Sequence, residues 1–119
     1  MYKIYTLSGS IPSKKNSRIN TRSGRSFPSK MFVQWHRDAE KQLFAQGIVQ
    51  FNKPVSVQAD FYFANNIRTD LDNKLSSILD LFTDINIIED DRWQCVSEIK
   101  LTGQLDKNNP HTIIKLEEL

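Results

Sequence analysis

From Val55 to Phe63 every second residue is apolar. Val55, Val57, Ala59, Phe61 and Phe63 alternate with Ser56, Gln58, Asp60 and Tyr62, directly after Pro54. Successive side chains of a strand point to opposite faces, so this period predicts a half-buried strand. The period then switches. Leu71, Leu75, Ile78, Leu79 and Phe82 fall on one helical face. Thr69 and Asp72 stand three apart ahead of it, an acidic relative of the capping box. Asn86 suits a helix exit because it tolerates positive φ. Trp93, Cys95, Ser97, Ile99 and Leu101 then alternate with Gln94, Val96, Glu98 and Lys100, which predicts another strand.

The flanks complete the pattern. Residues 2–7 alternate as a first strand. Phe32, Trp35, Ala39 and Leu43 have helical spacing, with Ser29 as N-cap and Gly47 as stop. Residues 8–29, with Gly9, Pro12, Gly24 and Pro28 among Ser, Asn and basic residues, predict a long surface loop, of a length usually functional or disordered. Residues 102–110 predict a second loop, and residues 112–119 a final strand. The order β-α-β-α-β-β predicts one α+β domain over residues 1–119, with two main helices on a mixed sheet.

Charge is divided unevenly along this plan. Residues 1–37 hold Lys3, Lys14, Lys15, Arg18, Arg22, Arg25, Lys30 and Arg37 and no acid. The rest of the chain holds the other eight basic residues and all fourteen acids, so the split is +8 against −6. An acid-free basic stretch suits a polyanion, because Lys and Arg displace the counterions of phosphates. It equally suits a solvated loop. The acids cluster as Asp70-Leu71-Asp72 and Glu89-Asp90-Asp91.

Other classes find little support. No apolar run approaches the ~18–20 residues of a membrane span, and the first residues lack a secretory h-region. Cys95 is the sole cysteine, which excludes an internal disulfide and fits a reducing, cytoplasmic setting. Nucleotide-binding and serine-hydrolase glycine motifs do not occur. His36 and His111 lack zinc-ligand spacing. His36, beside Trp35, reads as packing surface, Cys95 as a small buried residue, and Phe32, Trp35, Phe61 and Phe63 as core.

Two carboxylates at i and i+2 in mid-helix point about 200° apart. They converge more easily where a loop turns into a helix, and the pattern puts Asp70 and Asp72 there. Asp91 reaches them if its strand neighbours the preceding one. Three converging carboxylates repel unless a divalent cation lies between them. Mg²⁺ suits such oxygen ligands, with Mn²⁺ as a substitute, and it activates water towards a phosphodiester. The same acids have a structural use. At a helix start they stabilise the dipole by ~0.3–1 kcal/mol, and a pair before a strand makes an ordinary turn.

The string Asp70-Leu71-Asp72-Asn73, a helix ending near Phe82 and then Glu89-Asp90-Asp91 before a strand resembles the RusA-like Holliday junction resolvases. Pro12-Ser13 and Asn16 in the basic loop, and the strand before the acidic motif, extend the resemblance over nearly the whole chain. It implies a small homodimeric α+β endonuclease that nicks four-way DNA junctions symmetrically with Mg²⁺, of a kind carried mostly by phages and prophages. It places the metal-binding catalytic carboxylates on Asp70, Asp72 and Asp91. Backbone contacts fall to Lys14, Lys15, Asn16, Arg18, Arg22 and Arg25. One position departs: the family usually has a lysine four residues after the second Asp, where this chain has Ser76. Lys74 is the candidate replacement, with Lys100 or a loop lysine as alternatives. Otherwise Lys74 faces solvent on a polar strip with Ser77 and Asp80. The rivals are a noncatalytic nucleic-acid-binding module and a nuclease for other branched DNA.

Overall fold

Tyr5, Ile114, Ala59 and Leu101 stand side by side across four strands, and the neighbouring row is Leu7, Thr112, Phe61 and Gly103. Matched alternation on separate strands thus builds one apolar sheet face. The computed structural model describes residues 1–13, 18–20, 24 and 26–119, with residues 18–20 and 26–28 described by backbone alone. In chain order the elements are β1 (Tyr2–Ser8), β2 (Arg18–Asn20), β3 (Ser26–Pro28), α1 (Lys30–Ala45), β4 (Val55–Phe63), α2 (Leu71–Asp84), β5 (Val96–Leu105) and β6 (His111–Glu118). The main sheet runs β1-β6-β4-β5. Its β1–β6 and β6–β4 pairs are antiparallel and its β4–β5 pair is parallel, so the sheet is mixed as expected.

Both helices begin and end where local chemistry allows. Ser29 Oγ accepts the Phe32 N–H at 3.2 Å, which caps α1. Gly47, at φ +83°, lets the chain leave it. Beyond α2, Asn86 takes φ +62°, and the chain folds back until the Ile87 N–H reaches the Phe82 carbonyl at 2.9 Å. Ile78, Leu81 and Phe82 of α2 join the core with Ile87. The Phe82 ring meets Tyr5 edge-on, 5.7 Å between centroids.

The two outer edges of the sheet differ. On β1, the Thr6 N–H donates to Gln46 Oε1 at 2.8 Å while the Gln46 amide donates back to the Thr6 carbonyl at 2.7 Å. The Ser8 N–H donates to Gln42 Oε1 at 2.8 Å. Gln42 and Gln46, at the end of α1, therefore satisfy this edge at Thr6 and at the Ser8 N–H. Among the described residues β5 has one strand neighbour, β4.

Several details correct the sequence reading. The basic loop contains a short antiparallel hairpin, β2–β3, whose residue types gave no strand signal. The third strand of the pattern starts at Val96, because residues 92–95 turn, with the Val96 N–H on the Arg92 carbonyl. Trp93 thereby lies in the turn, largely exposed, and Ile99 is exposed on the strand. That strand also runs on to Leu105, which shortens the following loop to residues 106–110. Cys95, Trp35 and Phe63 are only partly buried. The helix cap falls on Asp70 rather than Thr69, so the Thr69–Asp72 box does not form.

Tyr5 makes this core sensitive to alkali. Burial raises its phenol above the usual 10.0, and the Val49 N–H donating to its oxygen at 2.9 Å draws it partly back. Below pH 10 its contribution is fully present. As pH rises further the unfolded chain ionises first, and stability falls until the folded phenol also ionises. Urea unfolding between about pH 9 and about pH 11 should show a loss that Tyr5→Phe reduces. At neutral pH the same variant should be less stable by about 1–2 kcal/mol, for the missing bond to Val49.

Candidate active site

The loop after β4 becomes α2 at Asp70. Its backbone is still extended, φ −96° and ψ 131°, and its carboxylate makes no cap hydrogen bond. Asp72 lies in the first turn and is exposed. The pair straddles the loop-to-helix junction, as the sequence predicts, rather than sitting in mid-helix. A shallow cleft of about 400 Å³ opens there, lined by Ile67, Arg68, Thr69, Asp70 and Asn73. In the sequence Arg68 stands out only as a counter-charge to the acids. Its place beside Asp70 follows from the loop's path and has no motif to announce it.

Asp91 lies elsewhere in the chain's geometry. β4 and β5 run the same way, and Val55 pairs with Val96 at their starts. Asp70 follows the end of β4, and Asp91 precedes the start of β5. The fourteen residues of α2 cross the sheet between these two ends, a rise of about 20 Å. One chain thus brings Asp70 and Asp72 together and leaves Asp91 at the far end of the sheet. Adjacency of the strands was the right condition for convergence only if they were antiparallel. Within the acidic turn, Arg92 engages Glu89 at 3.3 Å and Asp90 at 3.2 Å. The Asp91 N–H donates to Asp90 Oδ1 at 2.8 Å. That backbone bond, then the Arg92 contact, hold the Asp90 carboxyl below the usual range. Asp91 is left exposed.

Lys74 does not lie on a solvent-facing strip. It is buried, and its Nζ donates to the Ile11 carbonyl at 2.5 Å. Burial lowers its ammonium below the ordinary lysine range. Ser77, one turn on, is fully buried with its hydroxyl on the Pro12 carbonyl at 2.7 Å. Ser76, the position of the expected lysine, is exposed like Asp72. Lys14, Lys15, Asn16, Arg22 and Arg25 lie outside the described residues, as does the side chain of Arg18.

A second polar group forms where α1 meets the end of α2. His36 Nε2 is 2.9 Å from Asp84 and its Nδ1 is 3.2 Å from Glu40. His36, Asp80 and Asp84 present ligand-type atoms within 4.8 Å of one another. The contact between His36 and Asp84 ties α1 to the end of α2. His36 also packs beside Phe32 and Trp35, as the sequence suggests.

A model of the endodeoxyribonuclease RusA family matches residues 9–117. The chain belongs to the RusA family. It is therefore placed among the Holliday junction-resolving endonucleases, and the rival of a noncatalytic module loses its footing. No curated protein matches the chain. No helix among the described residues is long and apolar enough to cross a membrane.

Caps and chemistry can be separated by stability. Ser29→Ala removes a formed cap bond and should cost about 1 kcal/mol. Asp70→Ala removes no such bond and should change stability by less than about 0.5 kcal/mol. Urea titration of both variants checks the contrast; an equal loss at Asp70 would make it a structural cap.

Proposed function

We propose that this RusA-family protein is a Mg²⁺-dependent nuclease that, as a homodimer, nicks four-way DNA junctions symmetrically in recombination and repair. The observation that carries the reading is the separation of Asp70 and Asp72 from Asp91 by the crossover. It is the arrangement expected if each active site is completed by a second copy. Antiparallel pairing of two β5 edges about a two-fold axis would set the start of one β5 beside the end of the other. The partner's Asp91 would then arrive at the end of the sheet where Asp70 and Asp72 stand. The properties of β5 support this. Among the described residues it has one strand neighbour, Ile99 is 51% and Leu105 55% exposed, and on the opposite edge Gln42 and Gln46 cover Thr6 and the Ser8 N–H.

The donor set fits a hard divalent cation. Asp70 and Asp72 are exposed carboxylates, and the first of them is not engaged in capping. Mg²⁺ is commonly held by one or two carboxylates plus substrate phosphate, and Mn²⁺ accepts similar ligands. Once bound, the ion would polarise the scissile phosphoryl oxygen and lower the pKa of the attacking water. Asp70, Asp72 and Asp91 would orient the phosphodiester by holding that ion. Arg68, lining the same cleft, would meet a phosphate oxygen. Lys14, Lys15, Asn16, Arg18, Arg22 and Arg25 would grip the DNA backbone, and the two-fold axis would match the pseudo-symmetry of the junction.

A labelled four-way junction with Mg²⁺ or EDTA tests the activity. Asp70→Asn, Asp72→Asn and Asp91→Asn should each lower nicking by at least about 10²-fold, with DNA binding retained. Mixing Asp72→Asn with Asp91→Asn subunits tests the shared site. A heterodimer holding its sites across the interface keeps one intact site and should recover nicking of one strand. Sites contained within single chains would leave every site defective and the mixture inactive.

The basic arm has a separate signature. Neutralising Lys14, Lys15 and Arg18 should flatten the salt dependence of junction binding by ~0.9 in log–log slope for each phosphate left without its cation. An unchanged slope would remove the arm from the interface.

A further inference from the structure

Lys74 stands two residues from Asp72, about 200° around the helix. Ser76 stands four residues from Asp72, on the same exposed face. A lysine at 76 could reach a phosphate held at Asp72. Lys74 points the opposite way, into the protein, and only 8% of the residue is exposed. Its bond to Ile11 joins residues 63 apart, and the Ser77 bond to Pro12 joins residues 65 apart. Ile11 is itself 3% exposed in the core. Two side chains on successive turns of α2 thus fasten two successive carbonyls. The next cations after that point are Lys14 and Lys15.

We propose that Lys74 and Ser77 are positioning residues, which clamp the root of the basic arm to the same helix whose start carries Asp70 and Asp72. The inference rests on the nuclease reading above and gives Lys74 a different part in it. The charge is used inside the protein, on a backbone carbonyl, and does not act on the reacting phosphate. A single rigid helix then carries both the carboxylates and the anchor. The distance from the metal ligands to the point where the DNA-gripping residues begin is set by about two turns of helix. A buried cation suits this task because an ammonium donates a charge-assisted bond to a carbonyl, stronger than a neutral one.

Lys74→Met keeps the stem and removes the ammonium, and Ser77→Ala removes only the hydroxyl. Two readouts follow. Limited trypsin digestion, with cut sites read by mass spectrometry, should show cleavage at Lys14, Lys15 and Arg18 at least several-fold faster in both variants. Cleavage at Lys100 and Lys115 should stay at the wild-type rate. With a four-way junction and Mg²⁺, the dissociation constant should rise about tenfold, while the single-turnover rate at saturating DNA stays within about twofold. A fall in single-turnover rate at unchanged affinity would overturn the proposal, because the ammonium would then act in the transition state. Uniformly faster digestion at every site would also overturn it, as general loosening, and so would wild-type behaviour in both assays. Should the wild-type protein nick no junction, the nuclease reading fails, and the digestion pattern still decides the clamp.

Discussion

Two neighbouring strands that run in the same direction cannot be joined by a tight turn, so β4 and β5 need a crossover, and α2 provides it. Most of the protein's functional geometry follows. The crossover has two ends, at opposite ends of the sheet. The loop-to-helix junction at one end carries Asp70 and Asp72, and the turn at the other carries Asp91. Residues near in sequence are thereby kept about a helix length apart. In the proposed dimer this separation would make association part of the active site and couple catalysis to symmetry, with two sites about one two-fold axis addressing two strands related by the same symmetry.

The sheet edges support that arrangement through ordinary hydrogen bonding. An open strand edge presents a row of free N–H and C=O groups. At β1 the Gln42 and Gln46 side chains satisfy part of that row. Among the described residues no strand pairs with the outer edge of β5, and Ile99 and Leu105 on that strand are exposed. A protein that associates through one edge benefits from closing the other, since unrestricted pairing at both ends would give open chains of molecules rather than closed dimers. Helix α2 meanwhile faces two ways. Its apolar side holds Ile78, Leu81 and Phe82 in the core, its start exposes the carboxylates, and Lys74 and Ser77 hold the segment that leads into the basic arm.

Much of this was legible from local pattern. Alternation located β1 and β4, because a sheet with one buried face imposes period two on each strand. Apolar spacing located both helices, and Ser29, Gly47 and Asn86 marked their limits through backbone chemistry within a turn of themselves. The hairpin β2–β3 was hidden because its short strands have no apolar alternation. β5 was misread at its start because an edge strand with exposed Ile99 obeys the burial rule loosely, and Trp93 imitated the pattern from within a turn. Lys74 looked like a surface residue because its partner, the Ile11 carbonyl, belongs to the backbone, which any residue supplies.

By itself the sequence determined the two helices and the strands of the main sheet, their order, the acidic motif at a helix start and the basic stretch. These depend on residue types a few positions apart, where sterics and period are strict. The tertiary structure decided the parallel sense of β4 and β5, and with it the distance from Asp70 to Asp91. It also decided which edge stays open and the inward turn of Lys74. Each of these depends on which distant backbone groups come into register, and hydrogen bonds between such groups leave no mark on the amino acids that make them.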